Sequence, residues 1–272
     1  VEGVYAVASK QRRHDRNGDP YLVLELTDST GSIEGRVWKN ADWFDRNVRE
    51  GDRVRAVGRG SSYRDQVQLD IRRLDRIADG DEAVADRSFV PEGRRSIEDL
   101  AGELDFLVSE IVRDDVRALV EQVWSGPHRD ALLRAPATAG DHHAHLGGLV
   151  EHSIAVATIC LAAADRHTGI DRDLLLAAAL VHDIGRMREL RSETAIEADA
   201  DGALVGHVLL GHELLLEAAQ GARIDPATTM WWPKLVHAVS THHGPTERCR
   251  TREAVILVSA NALDARLAAR DR

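Results

Sequence analysis

Cysteine is nearly missing from this chain, with two in 272 residues. Cys160 falls in a helix-compatible run and Cys249 in a polar segment, a placement that gives neither metal-thiolate spacing nor a disulfide framework. Both are read as free thiols. Long apolar runs are missing as well. The longest, Leu174 to Val181, is far short of the roughly 20 residues of a membrane span. No secretory segment opens the chain, so a cytoplasmic protein without membrane attachment is expected. The chain begins at Val1 rather than Met, which reads as a trimmed N-terminus. Only three of its 35 basic residues are lysine, a sign of coding bias more than of mechanism. Nor is there an excess of positive charge. A formal net charge of -10 argues against indiscriminate binding to duplex DNA, whose phosphates reward a basic surface. No internal repeat or low-complexity segment is found.

What remains is a globular composition, 43% hydrophobic and 29% charged, with length for one large or two ordinary domains. The charge is uneven. Residues 1–80 hold 15 Lys and Arg against 14 Asp and Glu, whereas the other 192 hold 20 against 31. The N-terminal part is therefore the better partner for an anionic polymer.

Residues 1–78 read as short strands: Val4 to Ser9, Tyr21 to Thr27, Ile33 to Trp38, Val54 to Gly58 and Val67 to Ile71. In the second, Leu22, Leu24 and Leu26 alternate with Tyr21, Val23 and Glu25. Turn-forming stretches such as Asn17-Gly18-Asp19-Pro20 and Gly51-Asp52 separate the strands. Five strands in so short a span predict a small closed barrel of OB type, a fold used for single-stranded nucleic acid or oligosaccharide. Aromatics are scarce at 4%, so base stacking has few candidates: Tyr21, Trp38 and Tyr63, with Arg36, Arg59 and Arg64 near them for phosphates. Each of these aromatics could equally belong to the barrel core. Trp43 and Phe44 are expected to plug a barrel end.

Residues 79–96 read as an acidic, then Gly- and Pro-punctuated linker, and 97–272 as an all-α domain. Helical periodicity covers Ile97 to Val112, Asp114 to Trp124 and a segment around Arg129, with Ser96 and Asp114 as caps. Then comes the stretch His142 to Arg186, in which one helix offers His152 and a second ends in His182-Asp183. At about 100° per residue, His152 shares a stripe with Val156, Ile159 and Ala163, and His182 one with Leu175 and Ala178. Both point inward. A single buried histidine is more simply a core residue satisfied by a hydrogen bond. Several together change that reading. His207 follows on the stripe of Leu210 and Leu214, with His212 about 140° away on a second-layer or surface position. Pro233 suits the start and Gly244 the stop of a helix that ends in His242 and His243. The last helix, Glu253 to Ala269, puts Leu257, Asn261 and Asp264 on one face.

Imidazoles from several helices, one carboxylate beside them and no thiolate make a donor set for manganese, iron, magnesium or zinc, with more ligands than one tetrahedral ion takes. Two ions holding a bridging hydroxide would suit in-line phosphoryl displacement. The segments LVEHS, LVHDIG, GHVLLGHE, THHG and LDAR, in this order, resemble an HD-domain metal-dependent phosphohydrolase. More closely, APATAGDHHAHLGGLVEHS and DPYLVLELTDSTGSIEGRVW are similar to the YhaM-type 3′-to-5′ exoribonucleases, which join an OB-fold to an HD domain. The resemblance implies one or two divalent ions, commonly manganese, on His152, His182, Asp183, His207 and the His242-His243 pair. Asn261 and Asp264 would add oxygen ligands. It also implies catalytic roles for Asp183, Arg186 and His243, and single-stranded RNA, or DNA, as substrate. Two positions depart from the family. Arg186 replaces its usual Lys, keeping the charge as a planar fork, and Asn261 stands where an Asp is usual. The alternatives are an HD phosphohydrolase acting on nucleotides or a signalling dinucleotide, and a non-catalytic nucleic-acid-binding module with a degenerate metal site. The oligomeric state is left open.

Overall fold

A computed structural model of the chain describes residues 1–63, 66–78, 89–192 and 195–270, with the backbone alone at Tyr63. It divides into two compact units, Val1–Glu92 with Ser192–Glu197, and Gly93–Arg191 with Ala198–Arg272.

The first unit is a closed barrel. Its strands are β1 (Glu2–His14), β2 (Pro20–Asp28), β3 (Gly31–Val37), β4 (Arg53–Tyr63) and β5 (Gln66–Arg76), ordered β1-β2-β3-β5-β4. Only the β3–β5 pairing is parallel; the other pairings are antiparallel. Closure depends on bending. β1 pairs with β4 through its first residues and with β2 through the rest, with a register shift between Val7 and Ser9. β4 shifts register at Val57/Gly58, and a Cβ on Gly58 would stand 2.5 Å from the Asp70 carbonyl oxygen. Glycine there lets the two backbones close up. Leu22, Leu24 and Leu26 are fully buried and meet Val37, Val54, Leu69 and Ile71 in the barrel core.

Helix α1 (Ala41–Asn47) covers one end of that core, but only half of the expected plug is used. Phe44 packs against the core with Ala41 and Val48, whereas Trp43 is 55% exposed. Neighbouring side chains on a helix diverge by about 100°, so the two rings cannot both face inward. Of the expected linker, 79–88 lies outside the described residues. Phe89 and Val90 are buried, and Phe89 clusters with Ala6 and Ile77. Beyond them Glu92, Arg94, Arg95 and Ser96 are exposed.

The second unit is helical: α2 (Ile97–Ser109), α3 (Asp114–Ser125), α4 (Arg129–Arg134), α5 (Gly148–Ala164), α6 (Arg172–Val181), α7 (Arg186–Glu189), α8 (Ala200–Val205), α9 (His207–Gly221), α10 (Trp232–Thr241) and α11 (Arg252–Ala268). A short ribbon, β6 (Leu190–Ser192) with β7 (Ile196–Ala198), was not anticipated. Its three-residue strands are too short to show a period. Ser96 caps α2 by accepting from the Asp99 amide, as expected. The Asp114 cap is corrected: Asp114 is the first helical residue, and Asp173 accepts the Arg113 amide instead. Central to the unit is α6, where every residue from Leu174 to Val181 is fully buried. A helix apolar on all sides needs neighbours on all sides, and α3, α5, α10 and α11 supply them. No described helix is long and apolar enough to cross a membrane.

Candidate metal centre

The last carbonyls of a helix lack intrahelical partners, and two helices here solve that problem with a histidine. Past the end of α6, His182 turns its ring back so that Nδ1 donates to Ala179 O at 2.8 Å, while the Trp124 indole donates to Leu180 O at 3.1 Å. At the end of α10, His242 repeats the device, Nδ1 donating to Val239 O. A carbonyl can only accept, so in both rings Nδ1 carries the hydrogen. A ring so fixed presents, when neutral, a lone pair at Nε2.

Those lone pairs converge on Asp183, which is 3% exposed. On the Oδ1 side stand His242 Nε2 at 3.1 Å, His207 Nε2 at 3.3 Å and the more exposed His243 Nε2 at 4.0 Å. His152 Nε2 and His182 Nε2 flank Oδ2 at 3.9 and 3.8 Å. His207 is fixed in the same manner as the others, its Nδ1 facing Glu189 Oε2 at 3.1 Å, and His152 Nδ1 donates to Asp264 Oδ2 at 2.6 Å. Ring nitrogens thus face one another across the centre: His152 Nε2 lies 3.2 Å from His182 Nε2 and 3.0 Å from Asn261 Oδ1, and His207 Nε2 lies 2.8 Å from His243 Nε2. Asn261 is oriented by its Nδ2, which donates to His242 O at 3.3 Å. Two lone pairs at such separations repel unless a proton or a metal ion stands between them. Two groups that share Asp183, one with His207, His242 and His243 and one with His152 and His182, could each hold a metal ion.

Charge around the centre agrees with that fit. Burial pushes the His182 pKa down to about 3 and that of His243 to about 4, and it lowers His207 too, so these rings are neutral ligands at pH 7. For Asp183 burial opposes ionisation, yet the neighbouring positive charge, Arg186 included, holds its carboxyl well below the usual range. Arg186 Nη1 bonds Glu189 at 2.6 Å, while its buried Nε, 3.8 Å from Asp183 Oδ2, has no hydrogen-bond partner. Glu189 itself was missed from sequence. It accepts the His207 backbone amide at 3.2 Å, capping α9, and so orients His207 twice over. Its only sequence signal is the i, i+3 spacing to Arg186.

Gly185 sets the approach of α9. A Cβ there would lie 1.9 Å from His207 O and 2.5 Å from the Gly211 amide nitrogen, both rigid backbone. Gly185→Ala is therefore expected to push α9 and His207 away from Asp183, lowering thermal stability and weakening manganese binding together. Unchanged melting and metal titration would contradict this packing. His212, set aside in the sequence reading, is half-buried and in none of the clustered groups.

On α11, Asn261 and Asp264 both reach the cluster, but differently. Asp264 Oδ2 accepts from His152 Nδ1 and from His143 Nε2, the latter at 3.0 Å, and is thus engaged by two rings. His143, His145 and Glu151 form a further group that sequence reading passed over; His145 Nε2 is 3.1 Å from Glu151 Oε2. Burial disfavours the charged His143 ring, but Asp264 and Glu151 pull its pKa up to about 9. The crowded HHAHLGG stretch was the available signal.

On the barrel, Tyr21 and Trp38 stack with ring centroids 4.5 Å apart, and Trp38 is 45% exposed. Trp38 also donates to Asp70 Oδ1 at 3.3 Å. A groove of about 850 Å³ runs beside it, lined by Trp38, Lys39, Trp43, Arg72 and Arg73 among others. Trp43, read from sequence as a plug, thus joins this surface. Arg36 and Arg59 both pair in register with Asp70 across β3, β5 and β4; Arg36 is also held by Glu34 at 2.7 Å, and Arg59 is exposed. Arg64 and the Tyr63 side chain lie outside the described residues.

Comparison with known proteins gives matches to two family models and likeness to solved structures. Residues 149–266 match the HD domain, and residues 6–77 match the OB-fold nucleic acid binding domain. One such structure is the second OB-fold domain of replication protein A from Methanococcus maripaludis, at 22% identity and a TM-score of 0.23, covering 28% of this chain and 81% of that one. From barrel, bundle and family matches together, the chain joins an N-terminal five-stranded OB-type barrel to a helical HD domain.

Proposed function

We propose that the chain is a metal-dependent nuclease that hydrolyses single-stranded RNA, or single-stranded DNA, from the 3′ end. The observation that carries the reading is the ring of imidazole nitrogens around an ionised, buried Asp183, a donor set suited to divalent cations. Asp183, His207 and His242 would hold one ion; His152, His182, Asp183 and the Asn261 carbonyl would hold a second. Such ions, most suitably manganese with iron, zinc or magnesium as alternatives, supply charge stabilisation to a phosphoryl group and acidify water. Asp264 acts here through His152, fixing its tautomer, rather than as a ligand.

The protein groups divide the remaining work. Arg186, braced by Glu189, keeps a guanidinium beside the centre for a phosphate oxygen. His243, on the open side and neutral at pH 7, can take up a proton from entering water. The barrel would grip the strand through Trp38, Trp43 and the arginines near them, in keeping with its OB-type match. The 3′ direction rests on the family resemblance alone. A test of reaction class sets polyuridylate against nucleoside triphosphates and cyclic dinucleotides, each with manganese. Release of nucleoside monophosphates from the polymer alone supports the proposal; hydrolysis confined to the small substrates favours a nucleotide phosphohydrolase.

Asn261 tests the second ion's place. A neutral amide oxygen stabilises a divalent ion less than a carboxylate does, so Asn261→Asp is expected to raise activity at limiting manganese. The same change puts a second buried carboxylate near Asp183, so melting without metal should fall. Coincident manganese titration curves for the two proteins would count against Asn261 as a ligand.

A further inference from the structure

Beside the Asp183 centre, a second convergence of possible ligand atoms has no role in the reaction proposed above. His143 and His145 come from the loop before α5, and Glu151 from the first turn of α5, next to His152. His143 Nε2 is committed to Asp264 Oδ2 at 3.0 Å, which leaves Nδ1 facing Glu151 Oε2 at 3.7 Å. His145 Nδ1 is committed to Leu146 O at 3.0 Å, which leaves Nε2 facing the same carboxylate oxygen at 3.1 Å. A metal that displaces the His143 Nδ1 proton would meet three acceptors, the two free nitrogens and the carboxylate, close enough to share one ion.

The local backbone is shaped to hold them there. His143 has φ 52°, the left-handed region that a residue with a Cβ seldom adopts. Gly93 makes room for the His145 ring, since a Cβ at that position would stand 2.8 Å from His145 Cε1. Loop and helix are thus arranged around the space between three side chains.

We propose that His143 Nδ1, His145 Nε2 and Glu151 form a third cation site, separate from the two that share Asp183. Two imidazoles and one carboxylate, with no thiolate, select a divalent ion of the manganese-to-zinc series over calcium, and three protein donors leave coordination positions for water or a phosphate oxygen. In its absence a proton on His143 fills the same place, so metal and proton compete. Asp264 ties this site to the main centre, since its Oδ2 accepts from both His143 and His152.

The test is metal content at saturation, by equilibrium dialysis of the full chain against manganese and elemental analysis. His145→Ala and Glu151→Gln should each bind one equivalent fewer than the wild type. Asp183→Ala should keep one equivalent that the double change Asp183→Ala/His145→Ala loses. Equal metal in wild type, His145→Ala and Glu151→Gln would overturn the third site. Loss of metal in Asp183→Ala alone would then leave the main centre standing, so the two readings fail separately. Should His145→Ala misfold by circular dichroism, crystals of the manganese-loaded wild type decide. An anomalous peak among His143, His145 and Glu151 is expected there, and its absence refutes the site.

Discussion

Asp183→Ala is expected to lower RNA hydrolysis by about 10³-fold or more, equivalent to about 4 kcal/mol of lost transition-state stabilisation. The size follows from position. Among the described residues Asp183 is the one anion shared by both groups of imidazoles, with His242, His207 and His243 on one oxygen and His152 and His182 on the other. Without it, neutral rings alone face any cation, and bound manganese should fall with activity. Helical content should persist, because α6 ends before Asp183 and its packing is carried by Leu174 to Val181. Asp183→Asn, which keeps the volume and removes the charge, should follow the alanine variant. Wild-type turnover in either, measured at saturating manganese with matched circular dichroism, would remove Asp183 from the centre.

The second large effect is expected on the barrel. Trp38→Ala should weaken binding of long single-stranded RNA by about 5- to 150-fold, the range that follows from about 1–3 kcal/mol per stacked base. Trp38 already stacks on Tyr21 and is half exposed, so its outer face is prepared for a second ring at no cost in new ordering. Trp43→Ala should act in the same direction. Neither change should alter hydrolysis of a small chromogenic phosphodiester, which has no strand to grip. Salt should weaken binding in all three proteins, reporting on Arg59 and its neighbours, while stacking sets the difference between them. Unchanged affinity in Trp38→Ala would move the strand off this face.

What could be read from sequence follows the reach of periodicity. The Leu22, Leu24, Leu26 alternation has a period of two and a buried face, so the strand and its core side were legible. His152 and His182 fall on apolar stripes, and a histidine on such a stripe must point into the bundle. Periodicity does not show which atom of the ring points where. That Ala179 O and Val239 O take the Nδ1 hydrogens is a matter of helix ends, visible only once α6 and α10 stop where they do. His143 and His145 sit in a loop without period, so their meeting with Glu151 left no mark on any stripe. Glu189 was hidden for a related reason: it acts across the ribbon and α8 on a residue 18 positions later. Trp43 and Phe44 show the converse limit, since adjacency in sequence suggested a common fate that helical geometry forbids.

The central claim is that a cation centre around Asp183 hydrolyses single strands from the 3′ end, and one assay addresses it directly. The purified full chain is incubated with 5′-labelled and, separately, 3′-labelled single-stranded RNA, with manganese or with chelator, and the products are resolved at nucleotide resolution. The account predicts a descending ladder from the 5′-labelled strand and immediate release of a labelled mononucleotide from the 3′-labelled one, both lost with chelator and in Asp183→Ala. A ladder from the 3′-labelled strand, internal cuts, or cleavage that survives chelation would contradict it.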